Sequence, residues 1–156
     1  MKAIILISLT LLTPLSAQLP VIPRPVSLQM QQGASYSLSS KSRITYQGKD
    51  VAAVAELLAI GLRPATGFPL PVVAAQGESR GNIHLQLGEV PRTQGREAYQ
   101  LLARENSVVI TGRTVAGLIN ATQTLCQLLD PAIYDPRKQD SIKWIVPPVT
   151  IVDEPS

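Results

Sequence analysis

Asp153 and Glu154 stand side by side near the end of the chain, and paired carboxyl groups are what general acid and base catalysis uses. Their adjacency argues against that role. On an extended segment neighbouring side chains project to opposite faces, so two adjacent carboxylates do not converge on one bond. His84 and Cys126 are the sole histidine and the sole cysteine. A zinc site takes three or four ligands, and the companions are missing at motif spacing: there is no His-Glu-x-x-His. As a general base His84 would need a positioned nucleophile, and Gly-x-Ser-x-Gly is absent. Gly-x-Gly-x-x-Gly and the phosphate-loop pattern are absent too, which leaves nucleotide binding without support. The expectation is a chain with no catalytic, substrate-binding or metal residue of its own and no cofactor. His84 then reads as a solvent-facing or interface strand residue, and Cys126 as a small buried hydrophobe. Asn120-Ala121-Thr122 matches a glycosylation acceptor but falls inside an expected helix, whereas acceptors lie on exposed loops. Trp144, the one tryptophan, could stack on a sugar; with Ile145 and Val146 beside it, packing against a sheet or a neighbouring domain is the better reading.

The elements that would carry these residues follow from periodicity. Pro20, Pro23 and Pro25 make an extended arm, because each ring fixes its own backbone angle and turns its predecessor away from helix. Val26–Met30, Tyr36–Leu38 and Arg43–Tyr46 alternate apolar and polar residues as strands do. Asp50 offers an N-cap, and Val51, Val54, Ala55, Leu58 and Leu62 recur at helical spacing, predicting a helix over 51–62 that Gly61 and Pro64 end. Residues 64–81 read as connection, with one short strand over 70–74. Asn82–Leu87 is a strand with Ile83, Leu85 and Leu87 on one face and Asn82, His84 and Gln86 on the other. Ala98–Ala103 and Ser107–Thr111 form a hairpin around Arg104-Glu105-Asn106. A second helix presents a stripe of Val115, Leu118, Ile119, Thr122, Leu125, Cys126 and Leu129 and ends at Pro131. After a polar loop over 135–143, two short extended pieces flank Pro147-Pro148. This order favours α+β, with the helices on one face of a sheet.

Composition fits one globular domain: 45% of the 156 residues are hydrophobic and 16% charged. The net charge of +3 and four scattered arginines (Arg92, Arg96, Arg104, Arg113) form no basic stripe. With an aromatic fraction of 4%, nucleic acid is not an expected partner. Lys2 followed by the apolar run 3–12 has the anatomy of a signal peptide, too short to span a membrane. Cleavage after Ala17 would start the mature chain at Gln18, exported to the periplasm or beyond. One cysteine forms no intrachain disulfide, so stability must come from packing.

Three stretches together resemble the N-terminal domain of family 20 β-N-acetylhexosaminidases. Val21-Ile22-Pro23-Arg24-Pro25 leading to Gly33 is similar to that domain's proline, basic, proline opening. Tyr99-Gln100-Leu101, Val108-Val109-Ile110, Ala116-Gly117-Leu118 and Gln123–Leu129 resemble its hairpin and its threonine-leucine-x-glutamine-leucine helix. Ile151-Val152-Asp153-Glu154-Pro155 resembles the isoleucine-x-aspartate-x-proline that opens the catalytic barrel. The resemblance implies a mixed, largely antiparallel sheet with two helices packed on one face, spanning 18–150, with 151–156 as the start of the junction. It implies a partner, a (β/α)₈ barrel normally in the same chain, and glycan substrate met only through that barrel. Enzymes of the family remove terminal N-acetylglucosamine or N-acetylgalactosamine with retention, the substrate's acetamido oxygen acting as nucleophile, outside the two-carboxylate scheme. Their catalytic Asp and Glu lie deep in the barrel sequence, so Asp153-Glu154 is not that pair. The arginine that follows the aspartate-x-proline segment is not present here, and a barrel takes about 250 residues. The expectation is therefore an accessory domain that is inactive alone, with a standalone exported binding or interaction module as the alternative.

Overall fold

The computed structural model describes residues 19–76 and 81–155; the expected leader, residues 1–17, lies outside them. In chain order the elements are β1 (Ser27–Met30), β2 (Tyr36–Ser37), β3 (Ile44–Gln47), α1 (Ala52–Thr66), β4 (Val72–Ala74), β5 (Ile83–Leu87), β6 (Tyr99–Arg104), β7 (Ser107–Gly112), α2 (Val115–Leu128), β8 (Ile145–Val146) and β9 (Val149–Asp153). Seven strands make one sheet in the order β1-β9-β6-β7-β5-β3-β4, and β2 pairs with β8 in a separate ribbon. Of the seven strand pairings, four are antiparallel and three are parallel. The fold is α+β with a mixed sheet, antiparallel across β1, β9, β6 and β7 and parallel across β7, β5, β3 and β4. Its parallel half contains a strand–helix–strand unit, β3–α1–β4, in which β4 falls within the short strand expected over 70–74.

Register sorts the strand residues onto two faces. Leu28, Ile151, Leu101, Ile110, Leu85 and Tyr46 lie in one cross-strand row, and the four central members are fully buried. This face meets the helices: α1 packs on β3 and β4, α2 on β5, β6 and β7, and the two helices touch each other. Val54, Leu58 and Leu62 from α1 join Leu118, Leu125 and Leu128 from α2 in the same core. Burying each large aliphatic side chain is worth roughly 1.5–3 kcal/mol, so this layer dominates stability.

Both helices depart from their sequence pattern in instructive ways. Asp50 does not cap α1; it sits in a 3-10 turn, Lys49–Val51, that leads into the helix, and no side chain caps either start. Nor do Gly61 and Pro64 end it, because α1 runs on to Thr66. Pro64 loses the ladder bond to the Ile60 carbonyl and its ring crowds that carbonyl, but it stands in the last turn, and Ile60 is 60% exposed in this chain. The stop comes at Gly67, whose left-handed φ of 66° lets its N–H reach the Arg63 carbonyl at 2.8 Å. Arg63 itself donates to the carbonyls of Pro69 and Leu70.

In α2 the buried stripe is Gly117, Leu118, Ala121, Thr124, Leu125 and Leu128. It is rotated from the expected one: Ile119 is 37% exposed, and Thr122 and Cys126 are half-buried flanks. Close approach decides this. A Cβ on Gly117 would lie 2.5 Å from the Ala98 carbonyl oxygen, so the small residues, not the largest apolar ones, set the contact line. Thr114 supplies the N-cap, accepting from the Gly117 N–H while donating to the Arg96 carbonyl at 2.7 Å.

Candidate functional site

The most connected polar cluster joins the start of the chain, α2 and the end of the sheet. Tyr99 and Asp153 are register partners on the helix side. The Tyr99 hydroxyl shares a 2.6 Å hydrogen bond with Thr124 Oγ1 and donates to Asp153 Oδ2 at 3.4 Å. Asp153 Oδ1 accepts the Val26 N–H at 3.1 Å. Burial, above all, pushes the Tyr99 phenol up to about 12; the Thr124 bond pulls the other way and the Asp153 charge adds to the rise. One turn away, the Gln127 amide clamps the arm, accepting from the Ile22 N–H at 2.8 Å and donating to its carbonyl at 3.0 Å. Asp153 is thus a buried acceptor, 7% exposed. Glu154 lies apart from it, beside Gly95 in the loop before β6, and the two carboxylates do not face a common point.

His84 departs from its expected exposure. It lies on the face away from the helices, in the row Thr45, His84, Val109, Leu102, Thr150, Gln29, yet it is only 6% exposed. Its Nδ1 pairs with Thr45 Oγ1 at 2.9 Å and its Nε2 with Gln86 Oε1 at 3.3 Å. The Gln86 amide donates onward to Thr111 Oγ1 at 3.2 Å. Because Gln86 Oε1 only accepts, Nε2 carries the proton and Nδ1 accepts from Thr45. Burial lowers the His84 pKa, against a raising contribution from Gln86. With both nitrogens engaged along a polar line across β3, β5 and β7, the ring offers no free base.

Cys126 is half-buried against the core, and burial pushes its thiol up to about 11, so the nucleophilic thiolate is scarce at neutral pH. Trp144 is 2% exposed in the core and presents no face to a sugar. The Asn120 amide donates to Glu97 at 3.1 Å from within α2. Among the described residues no three of His, Cys, Asp and Glu gather around a point that could hold a metal ion, and no helix is long and apolar enough to cross a membrane. Sequence reasoning missed Tyr99 and Thr124 as a pair. The signal on offer was a tyrosine at an inward position of β6, in line with Leu101 and Ala103; Thr124 fell off the expected stripe.

Two features face outward. Leu57 and Ile60, each 60% exposed, stand three residues apart on α1, and Ile119 adds to the exposed apolar surface of α2. On the opposite side of the sheet, the loop Val90–Thr93 overhangs β1, β9 and β6 and encloses a cleft of about 240 Å³.

Comparison with known proteins places this architecture. Residues 18–154 match the family described as glycosyl hydrolase family 20, domain 2. A β-N-acetylhexosaminidase of Cellulomonas fimi is 34% identical over 113 residues, which are 69% of this chain and 22% of that protein. The solved family 20 β-N-acetylhexosaminidase of Streptomyces coelicolor A3(2) superposes with a TM-score of 0.78 at 36% identity, covering 88% of this chain and 26% of its own. The N-acetyl-β-hexosaminidase of Streptomyces plicatus gives 0.77 at 38%, covering 92% and 27%. The chain spans about a quarter of the length of the relatives it matches. A match that runs from the arm at residue 18, through both helices, to the Asp153-Glu154 end of β9 puts the chain in glycosyl hydrolase family 20, as that family's domain 2.

Proposed function

We propose that the chain is the non-catalytic accessory domain of an exported β-N-acetylhexosaminidase, acting beside a (β/α)₈ barrel that removes terminal N-acetylglucosamine or N-acetylgalactosamine. One observation carries the reading: nearly the whole chain matches about one quarter of proteins named as β-N-acetylhexosaminidases. The exposed Leu57 and Ile60 support it, since contiguous apolar surface on a helix is the kind that a neighbouring domain covers. So does the state of the ionisable groups, because Asp153, His84 and Cys126 are each tied into packing. Export rests on the Lys2 and apolar 3–12 pattern, and an N-terminal sequence starting at Gln18 in exported protein would test it.

A domain exchange tests the role. With this chain fused in place of the matching quarter of the Streptomyces coelicolor enzyme, the fusion should fold and hydrolyse a chromogenic N-acetylglucosaminide. Deletion of that quarter should lower the yield of active enzyme. Full activity after deletion would contradict an accessory role.

A further inference from the structure

The two halves of the outward sheet face treat their polar side chains differently. Across β3, β5 and β7, Thr45, His84, Gln86 and Thr111 bond to one another. Across β6, β9 and β1 the corresponding groups are Gln100, Thr150, Ser27 and Gln29, and they line the 240 Å³ cleft. None of these four side chains makes a hydrogen bond among the described residues. Val26, Val152 and Pro91 give the cleft an aliphatic wall, Thr93 and Arg92 complete the lining, and no carboxylate is among these residues.

Arg92 closes the cleft from the loop. Its φ of 63° is left-handed, a conformation that glycine or asparagine adopts easily and other residues rarely do. Among the described residues the one other left-handed residue that is not glycine, Leu70, is wholly buried in the core, where packing surrounds it. Arg92 is exposed, so core packing does not surround it. Its neighbours hold the turn: Val90 is buried, Thr93 Oγ1 donates to the Val90 carbonyl at 3.2 Å, and Arg113 donates to the Thr93 carbonyl at 3.1 Å. Glycine would meet that geometry without strain, and what arginine adds is a guanidinium at the cleft. Such outliers concentrate at ligand clamps.

We infer that this cleft binds one residue of an uncharged acetamido-sugar chain, an inference that rests on the hexosaminidase reading for its choice of sugar. Amide and hydroxyl side chains both donate and accept, as sugar hydroxyls do. The valines and proline fit the C–H face of a pyranose and an acetamido methyl. Arg92 offers paired donors to neighbouring hydroxyls or to the acetamido oxygen. A bare anion would need the arginine but not the apolar wall. The volume has room for a single ring.

Titration of the purified full chain with triacetylchitotriose, maltotriose and glucuronic acid, followed by calorimetry or amide NMR shifts, tests this. Chitotriose should bind saturably, and Gln100→Ala and Arg92→Gly should each weaken it about 5- to 10-fold, the loss of roughly one hydrogen-bonded contact. Arg92→Gly should melt at the same temperature as the parent or higher, since strain is relieved where the ligand is lost. No saturable binding, or binding unchanged in both variants, would overturn the site. A lower melting temperature with binding intact would make Arg92 structural and overturn its role. Equal affinity for maltotriose, or preference for glucuronic acid, would overturn the acetamido assignment. The hydrolase reading answers to the fusion's turnover, which does not depend on this cleft.

Discussion

At the scale of single residues, the groups that looked most reactive are the ones the fold uses for cohesion. Tyr99 joins β6 to α2 through Thr124 and to β9 through Asp153. Tyr99→Phe leaves those partners buried without their shared hydroxyl, which should cost about 1–3 kcal/mol in urea denaturation. His84 gives a pH signature. Its folded pKa lies below the ordinary 6.5, so the unfolded chain binds the proton more readily. Stability contributed by the neutral ring is complete above pH 6.5 and declines as pH falls through the lower folded value. Melting temperatures measured downward from neutral pH should show this decline, and His84→Gln should flatten it. Period-two alternation placed His84 on the correct strand face. Its burial was not legible, because that depends on Thr45, Gln86 and Thr111 arriving from other positions to bond along the sheet.

At the scale of elements, alternation and helical spacing were enough wherever one face is buried and the other is not. The hairpin of β6 and β7 and the strand β5 follow their patterns closely, since a shift of one residue would turn Leu101, Ile110 and Leu85 out of the core. The helices were harder. Pro64 reads as a stop, but it stands in the last turn, one turn after an exposed Ile60, and the helix runs on to Thr66. In α2 the apolar count pointed to Ile119, while the contact line runs through Gly117 and Ala121, where backbone approach outweighs side-chain size. Gly117→Ala should therefore destabilise despite alanine's better helix propensity. The added methyl meets the Ala98 carbonyl, a backbone atom that cannot swing away, and a loss of about 1–3 kcal/mol is expected from overpacking of this kind. The same substitution at Gly61, where a Cβ meets nothing, should instead raise the melting temperature.

At the scale of the whole molecule, the chain is a core closed on one side of its sheet, with apolar helix surface left outside. Leu57→Glu and Ile60→Glu should change the stability of the isolated chain by no more than about 0.5 kcal/mol, as exposed positions do. In the fusion with the rest of the Streptomyces coelicolor enzyme the same changes should reduce soluble, active enzyme; equal yields would place the domain contact elsewhere. Family membership was legible from the arm, the hairpin with its helix, and the Ile151–Pro155 end, because these carry unusual residues at constrained places. The cleft under Arg92 was not, since no pattern in Pro91-Arg92-Thr93 signals a left-handed arginine. The central proposal, that this domain is an accessory one without turnover of its own, is tested most directly by incubating the purified chain with a chromogenic N-acetylglucosaminide. The rate should be indistinguishable from that of a mock preparation, and specific turnover above it would contradict the account.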